Sequence, residues 1–166
     1  MPNTERWKPA VTVAAVIEAQ GRYLLVEEET PEGLMLNNPA GHLEAGETPL
    51  QAVVREALEE TAREFRPEFF LGAYLARFLR PARAEDVTYL RLAFAGRAGE
   101  EIAGRALDRG IVRTLWLSLD ELRATAARHR SPLVLRCCED HAAGKRLPLE
   151  AIHADASLAS PPIKGP

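Results

Sequence analysis

Residues Val11 to Ile17 read VTVAAVI, seven positions with no charge and no alternation between apolar and polar types. A strand that meets water on one face alternates, so an unbroken β-branched run predicts a strand covered on both faces. Gln20-Gly21 interrupts the pattern and Tyr23 to Val26 resumes it, which predicts a hairpin turning at Gly21. Glu27 to Gly33 is expected to be a polar loop, Leu34 to Leu36 a short strand, and Asn37 to Glu47 an irregular stretch. Further strands are expected over Phe69–Phe78, Val87–Phe94 and Ile111–Leu117.

Three helices interleave with these strands. Thr48 stands as the cap of the first, with Pro49 at its opening position and Gln51 completing a capping box. Leu50, Val53, Val54, Ala57 and Thr61 then form one apolar stripe at helical period. A second helix opens at Ser118 with Glu121 three residues on, and a third runs from Ser131-Pro132 to about Gly144. Hairpin-type links outnumber βαβ crossovers, so a doubly wound parallel sheet is excluded. The expected fold class is α/β, an α/β/α sandwich with a mixed β-sheet between helices. The 166 residues suffice for one core without staples: a single domain over residues 7–152, a short lead at 1–6 and a flexible tail at 153–166.

Charge narrows the partners. With 21 Lys+Arg against 24 Asp+Glu, the chain lacks the basic footprint of a protein that coats a nucleic acid polymer or an anionic membrane. No apolar run approaches the ~20 residues needed to span a bilayer. The first ten residues lack the apolar stretch of a secretory signal. Cys137 and Cys138 are adjacent, poor geometry for an ordinary disulfide, so packed reduced thiols and a cytoplasmic location are expected.

The segment from Gly41 to Glu60 carries the chemistry. With Glu56 at 0° on a helical wheel, Glu60 falls near 40° and Glu59 near −60°, at about 100° per residue, beside the apolar stripe near 120°. Like charges at i and i+4 destabilise a bare helix. A hard dication among them reverses that penalty, polarises a bridging phosphate and acidifies a neighbouring water. Arg55 lies near −100°, placed to pair with Glu47 or Glu59 or to reach a phosphate. A solvated acidic face on an interaction protein is the competing reading.

Gly41, Glu47, Arg55, Glu56, Glu59 and Glu60 reproduce the spacing G-x5-E-x7-R-E-x2-E-E of the Nudix box. WKPAVTVAAV, LNNPAGHLEAGET, RSPLV and LPLEAI extend the resemblance from about Trp7 to Ile152, and look like a branch of bacterial phosphatases within that family. The resemblance implies Mg²⁺, with Mn²⁺ as the alternative, and hydrolysis of a small-molecule diphosphate or triphosphate by a monomer or homodimer. For that branch it implies nucleoside tri- and diphosphates and thiamine-related pyrophosphates, including thiamine diphosphate and hydroxymethylpyrimidine diphosphate, with release of phosphate. ADP-ribose or dinucleoside polyphosphates are the alternative substrates, and a non-catalytic nucleotide sensor is the rival within the fold.

By the same resemblance Glu56 and Glu60 are the metal ligands, with Glu59 and the Ala40 carbonyl assisting. Glu59, Glu56 and Arg55 form the catalytic set, either glutamate being the general base. Glu47 and Gly41 orient the site. The box is broken at its end, where Ala62 replaces glycine and Arg63 an apolar residue. Either Ala62 takes the left-handed helix stop at about 1 kcal/mol, or the helix runs on through Arg63-Glu64.

Asn37, His42 and Asp108 are candidate substrate contacts, against the plainer readings of a turn asparagine, a loop histidine and a turn-forming aspartate. Arg77, Arg80 and Arg83 make a basic stretch that either attracts phosphate or is simply solvated. His129, His141 and His153 are expected at the surface.

Overall fold

The computed structural model describes residues 6–80 and 84–160. Arg83, most of the expected lead and the last six residues of the expected tail lie outside them. Among the described residues there are seven strands: β1 (Ala10–Ala19), β2 (Arg22–Thr30), β3 (Gly33–Asn37), β4 (Ala40–His42), β5 (Phe65–Arg80), β6 (Glu85–Ala98) and β7 (Ile111–Ser118). The helices are α1 (Pro49–Thr61), α2 (Leu119–Ala124) and α3 (Leu133–Ala142), with short 3₁₀ turns between and after them.

The β1–β2 hairpin turns on two successive left-handed residues, Gln20 at φ 53° and Gly21 at φ 77°. That geometry matches the twist of the flanking strands. The two strands pair only at Glu18–Tyr23 and Ala19–Arg22 and then part. β1 continues between β4 and β6, and β6 pairs with β5, while β2 continues between β3 and β7. Among the described strands β1 and β6 pair in parallel and the other pairs are antiparallel, so the sheet is mixed. It splits into two leaves, and the opening between them holds the site.

β1 is covered on both sides, as its sequence requires. Val13, Ala15 and Ile17 pack with Ala52, Val53 and Ala57 of α1 and with Phe65, Phe70 and Phe94. Val16 faces the opposite way, into a cluster with Leu71, Leu122 of α2 and Val134, Cys137 and Cys138 of α3. Each large side chain so buried contributes ~1.5–3 kcal/mol. The α/β/α sandwich with a mixed sheet is the observed architecture.

Three local expectations change, and the open question at the end of the first helix is settled. The stretch at Glu27 to Thr30 is strand rather than loop, because β2 is the middle strand of its leaf. Its buried Glu27 is held by Arg113, 2.7 Å away, and by Arg128. The stretch expected to be irregular contains β4, which pairs antiparallel with β1. Helix α1 stops at Ala62, which is left-handed at φ 53°. The residues after β6 meet that end, Asp108 N–H donating to the Glu59 carbonyl and Ile102 N–H to that of Ala62, both at 2.8 Å. These donors satisfy carbonyls that a helix end leaves open, so the helix stops without its glycine. Finally, His129 is buried and His141 half-buried. Arg146 donates to His141 Nε2 at 2.8 Å, which puts the imidazole proton on Nδ1, facing Tyr23 Oη at 2.9 Å. Only His153 of the three lies at the surface as expected.

Candidate active site

Helix α1 is anchored at its start by the capping box read from the sequence. Thr48 Oγ1 accepts from Gln51 N–H at 3.2 Å, and Gln51 Oε1 from Thr48 N–H at 2.8 Å. Two turns on, Arg55 distributes all five of its N–H donors. Nε and Nη2 meet Glu47 at 3.1 and 2.7 Å, and Nη2 also meets the His42 carbonyl at 3.1 Å. Nη1 meets Glu56 at 2.7 Å and Glu59 at 3.1 Å. No donor remains for a phosphate, so this geometry makes Arg55 the clamp that fixes three carboxylates. Its partner Glu47 is held below the usual carboxylate range by that pairing. Glu47 Oε1 also accepts from Glu44 N–H at 2.8 Å, closing the loop into the helix.

Glu56 and Glu60 are buried. Burial pushes the Glu56 carboxyl up, against the opposing pull of Arg55. Glu60 is pushed up to about 8, first by burial and then by the negative charges of Glu28, Glu56 and Asp108; the Ala40 N–H, 2.9 Å from Oε2, acts the other way. The side chain of Glu59 is 40% exposed and has one contact, to Arg55. Gly41 is demanded by this packing: a Cβ there would sit 2.1 Å from Glu56 Cδ. β4 therefore meets α1 with a bare backbone against one carboxylate and an amide against the other.

Among the described residues no three His, Cys, Asp or Glu side chains stand at ready metal-ligand spacing. The three glutamates are turned onto Arg55 and the Ala40 amide instead. The donor chemistry nevertheless fits a hard divalent cation, since the set is all oxygen and two buried carboxylates lack charge compensation equal to their burial.

Beside the cluster, sharing Ala40 and Gly41 with it, lies a cavity of about 230 Å³. Asn37 and His42 line it, as do Glu28, Phe78, Arg80, Tyr89, Arg91 and Arg130. Arg91 is buried and donates to Asn37 Oδ1 and Asn38 Oδ1, both at 3.0 Å. The Asn37 carbonyl oxygen thus already has a protein partner. Asp108 is exposed and not part of the cavity lining; its Oδ1 accepts from Arg109 N–H, the turn role weighed for it. Arg77 pairs with Asp86 and is exposed, whereas Arg80 pairs with Glu85 and Glu32 at the cavity. Cys137 and Cys138 are buried free thiols, pushed up by burial to about 11 and about 12. Such thiols are packing groups at neutral pH.

Sequence reasoning missed Glu28, Arg91 and the Phe78–Tyr89 wall. Arg91 had a signal, a single guanidinium amid the apolar run Tyr89 to Phe94. Glu28, one of three consecutive glutamates, had none.

An acidic helix docked on a bare strand, inside an α/β/α sandwich, makes an all-oxygen site of the kind that suits a hard divalent cation and phosphate chemistry. The chain belongs to the Nudix family: the NUDIX domain model matches residues 6–137. It is 36% identical over 146 residues to phosphatase NudJ of Escherichia coli K12, covering 88% of this chain and 92% of that protein, and equally to that of Shigella flexneri. A solved NUDIX hydrolase from Nitrosomonas europaea is 50% identical and superposes with a TM-score of 0.80 over 89% of this chain and 98% of that one. The protein is a hydrolase acting on pyrophosphate bonds of small molecules, in a family that generally uses a divalent metal. Among the described residues no helix is long and apolar enough to cross a membrane.

Proposed function

We propose that this protein is a Mg²⁺-dependent phosphohydrolase, with Mn²⁺ as an alternative ion, that releases phosphate from nucleoside di- and triphosphates or thiamine-related pyrophosphates. The observation that carries the reading is adjacency. The acidic cluster and the cavity share Ala40 and Gly41, so a diphosphate at the cluster puts its organic group into the cavity. Glu56 and Glu60, with the Ala40 carbonyl, would hold the cation, which supplies positive charge that offsets carboxylate repulsion and polarises phosphate oxygens. Arg55 holds Glu56 and Glu59 at fixed separation from Glu47. Glu59, the most exposed of the three and bound by one 3.1 Å contact, accepts the proton of the attacking water. Glu56 is less suited, since its carboxylate is buried and committed to Arg55 at 2.7 Å. The Phe78–Tyr89 pair, edge-on with centroids 5.5 Å apart, gives an aromatic corner against which a ring can pack.

A second reading has its own observation. An open, mostly apolar groove along α1 runs past Glu59 between Leu50, Val54, Leu58 and Arg105. A substrate with organic groups at both ends, such as ADP-ribose or a dinucleoside polyphosphate, would use the groove and the cavity together.

The test compares phosphate release from thiamine diphosphate, GTP and ADP-ribose, with products identified by phosphorus NMR in ¹⁸O-water. Terminal phosphate carrying the label is expected from the first two. Glu60→Gln is expected to lower metal-dependent turnover at least ~100-fold, the order seen when one preorganised charge-stabilising group is lost. Nucleotide binding without turnover in the wild type would instead mark a sensor.

A further inference from the structure

Resting on the hydrolase reading above, we infer that Glu28 selects substrates whose organic ring presents an N–H group, making it a specificity-determining residue. Among the described residues Glu28 is the one carboxylate that lines the cavity. Its side chain is 18% exposed, and its nearest charged partner, Arg130 Nε, stands 3.5 Å from Oε2. It receives no side-chain hydrogen bond from the described residues. An ionised carboxylate has about four acceptor positions, so beyond its pairing with Arg130 this one offers acceptor positions to whatever enters the cavity.

The rest of the lining explains why the missing donor belongs to a ligand. Arg80, Arg91 and Arg130 are donors only, and they suit the acceptor atoms of a heterocycle. Phe78 and Tyr89 suit its face. Glu28 is left to meet a donor. The volume of about 230 Å³ lies below the ~300–1,000 Å³ common for small-molecule pockets, which fits a single ring system. An aminopyrimidine satisfies all three surfaces. A ring without N–H would cover the carboxylate with carbon and leave it unpaired.

The experiment measures kcat and KM with Mg²⁺ for cytidine diphosphate and for its 4-deamino analogue, which keeps the ring and loses the base's N–H donors. Wild-type protein is expected to favour cytidine diphosphate at least ~10-fold in kcat/KM, the cost of one acceptor that the bound ring covers and leaves unpaired. Glu28→Ala, which removes the acceptor altogether, is expected to bring that ratio within about threefold of one through KM for cytidine diphosphate. Arg130→Gln, which removes the same ion pair but keeps the carboxylate, is expected to retain the preference. A wild-type ratio near one would overturn the inference and leave the hydrolase reading standing. So would an equal fall in kcat for both substrates in Glu28→Ala, which would place Glu28 with the reacting phosphates. Loss of the preference in Arg130→Gln would overturn the assignment to Glu28, and no turnover of either compound or of any other diphosphate would overturn both readings.

Discussion

Glu60 is packed under β4 with the Ala40 amide as its hydrogen-bond donor, and this arrangement has a pH signature. Its folded pKa, about 8, lies above the ordinary 4.5, so between those values the folded state keeps a proton that the unfolded chain gives up. Stability from this group is complete below about pH 4.5 and is lost as pH rises through about 8. In the metal-free protein, the melting temperature of wild type relative to Glu60→Gln is expected to fall from pH 5 to pH 8. Saturating Mg²⁺ should reverse the trend, because the ion binds the deprotonated form. A wild-type-minus-variant difference that is flat with pH would show that Glu60 is solvated. Gly41 belongs to the same scale: its missing Cβ makes room for the Glu56 carboxylate, which is a packing reason for a residue that has no chemistry of its own.

Helix α1 ends without the glycine that helices favour, and its two ends differ in how they were legible. The start is written in neighbouring residues, since Thr48, Pro49 and Gln51 can be read as a cap before any tertiary contact forms. The end was ambiguous, because Ala62 accepts the left-handed conformation only with outside help. That help comes from Ile102 and Asp108, some forty residues on, whose amides meet the last carbonyls. Replacing Ala62 by Gly removes the Cβ strain while keeping these bonds. The expected outcome is a gain of about 0.5–1 kcal/mol in urea denaturation at neutral pH, the strain relief exceeding the added unfolded-state entropy. A loss of stability would mean that the buried Ala62 methyl matters more than the backbone.

At the scale of the whole molecule, the leaf of β3, β2 and β7 must hold its shape for the cavity to exist, since Glu28 and Asn37 line it. Glu27 joins β2 to Arg113 on β7 and to Arg128 after α2, and these arginines hold its carboxyl below the usual range. Its contribution is therefore present above pH 4.5 and disappears as pH falls through the lowered folded value. Glu27→Gln is expected to lose about 1–2 kcal/mol at pH 7. That is below the figure for a stranded buried charge, because both arginines are partly exposed and stay hydrated. In paired urea titrations the deficit should shrink at pH 3; an equal deficit at both values would point to packing instead of charge.

The covered strand at Val11 to Ile17, the hairpin at Gly21, the caps of α1 and α2, and the spacing of Gly41, Glu47, Arg55, Glu56, Glu59 and Glu60 were all readable in the chain. Each depends on a hydrogen bond or a periodicity that spans a few residues. Burial of Glu56 and Glu60, the use of every Arg55 donor, and the meeting of Glu28 with Phe78, Tyr89 and Arg91 were decided by tertiary structure. Desolvation and cavity shape are set by segments far apart in the chain, and no local pattern encodes which of several similar glutamates they will enclose.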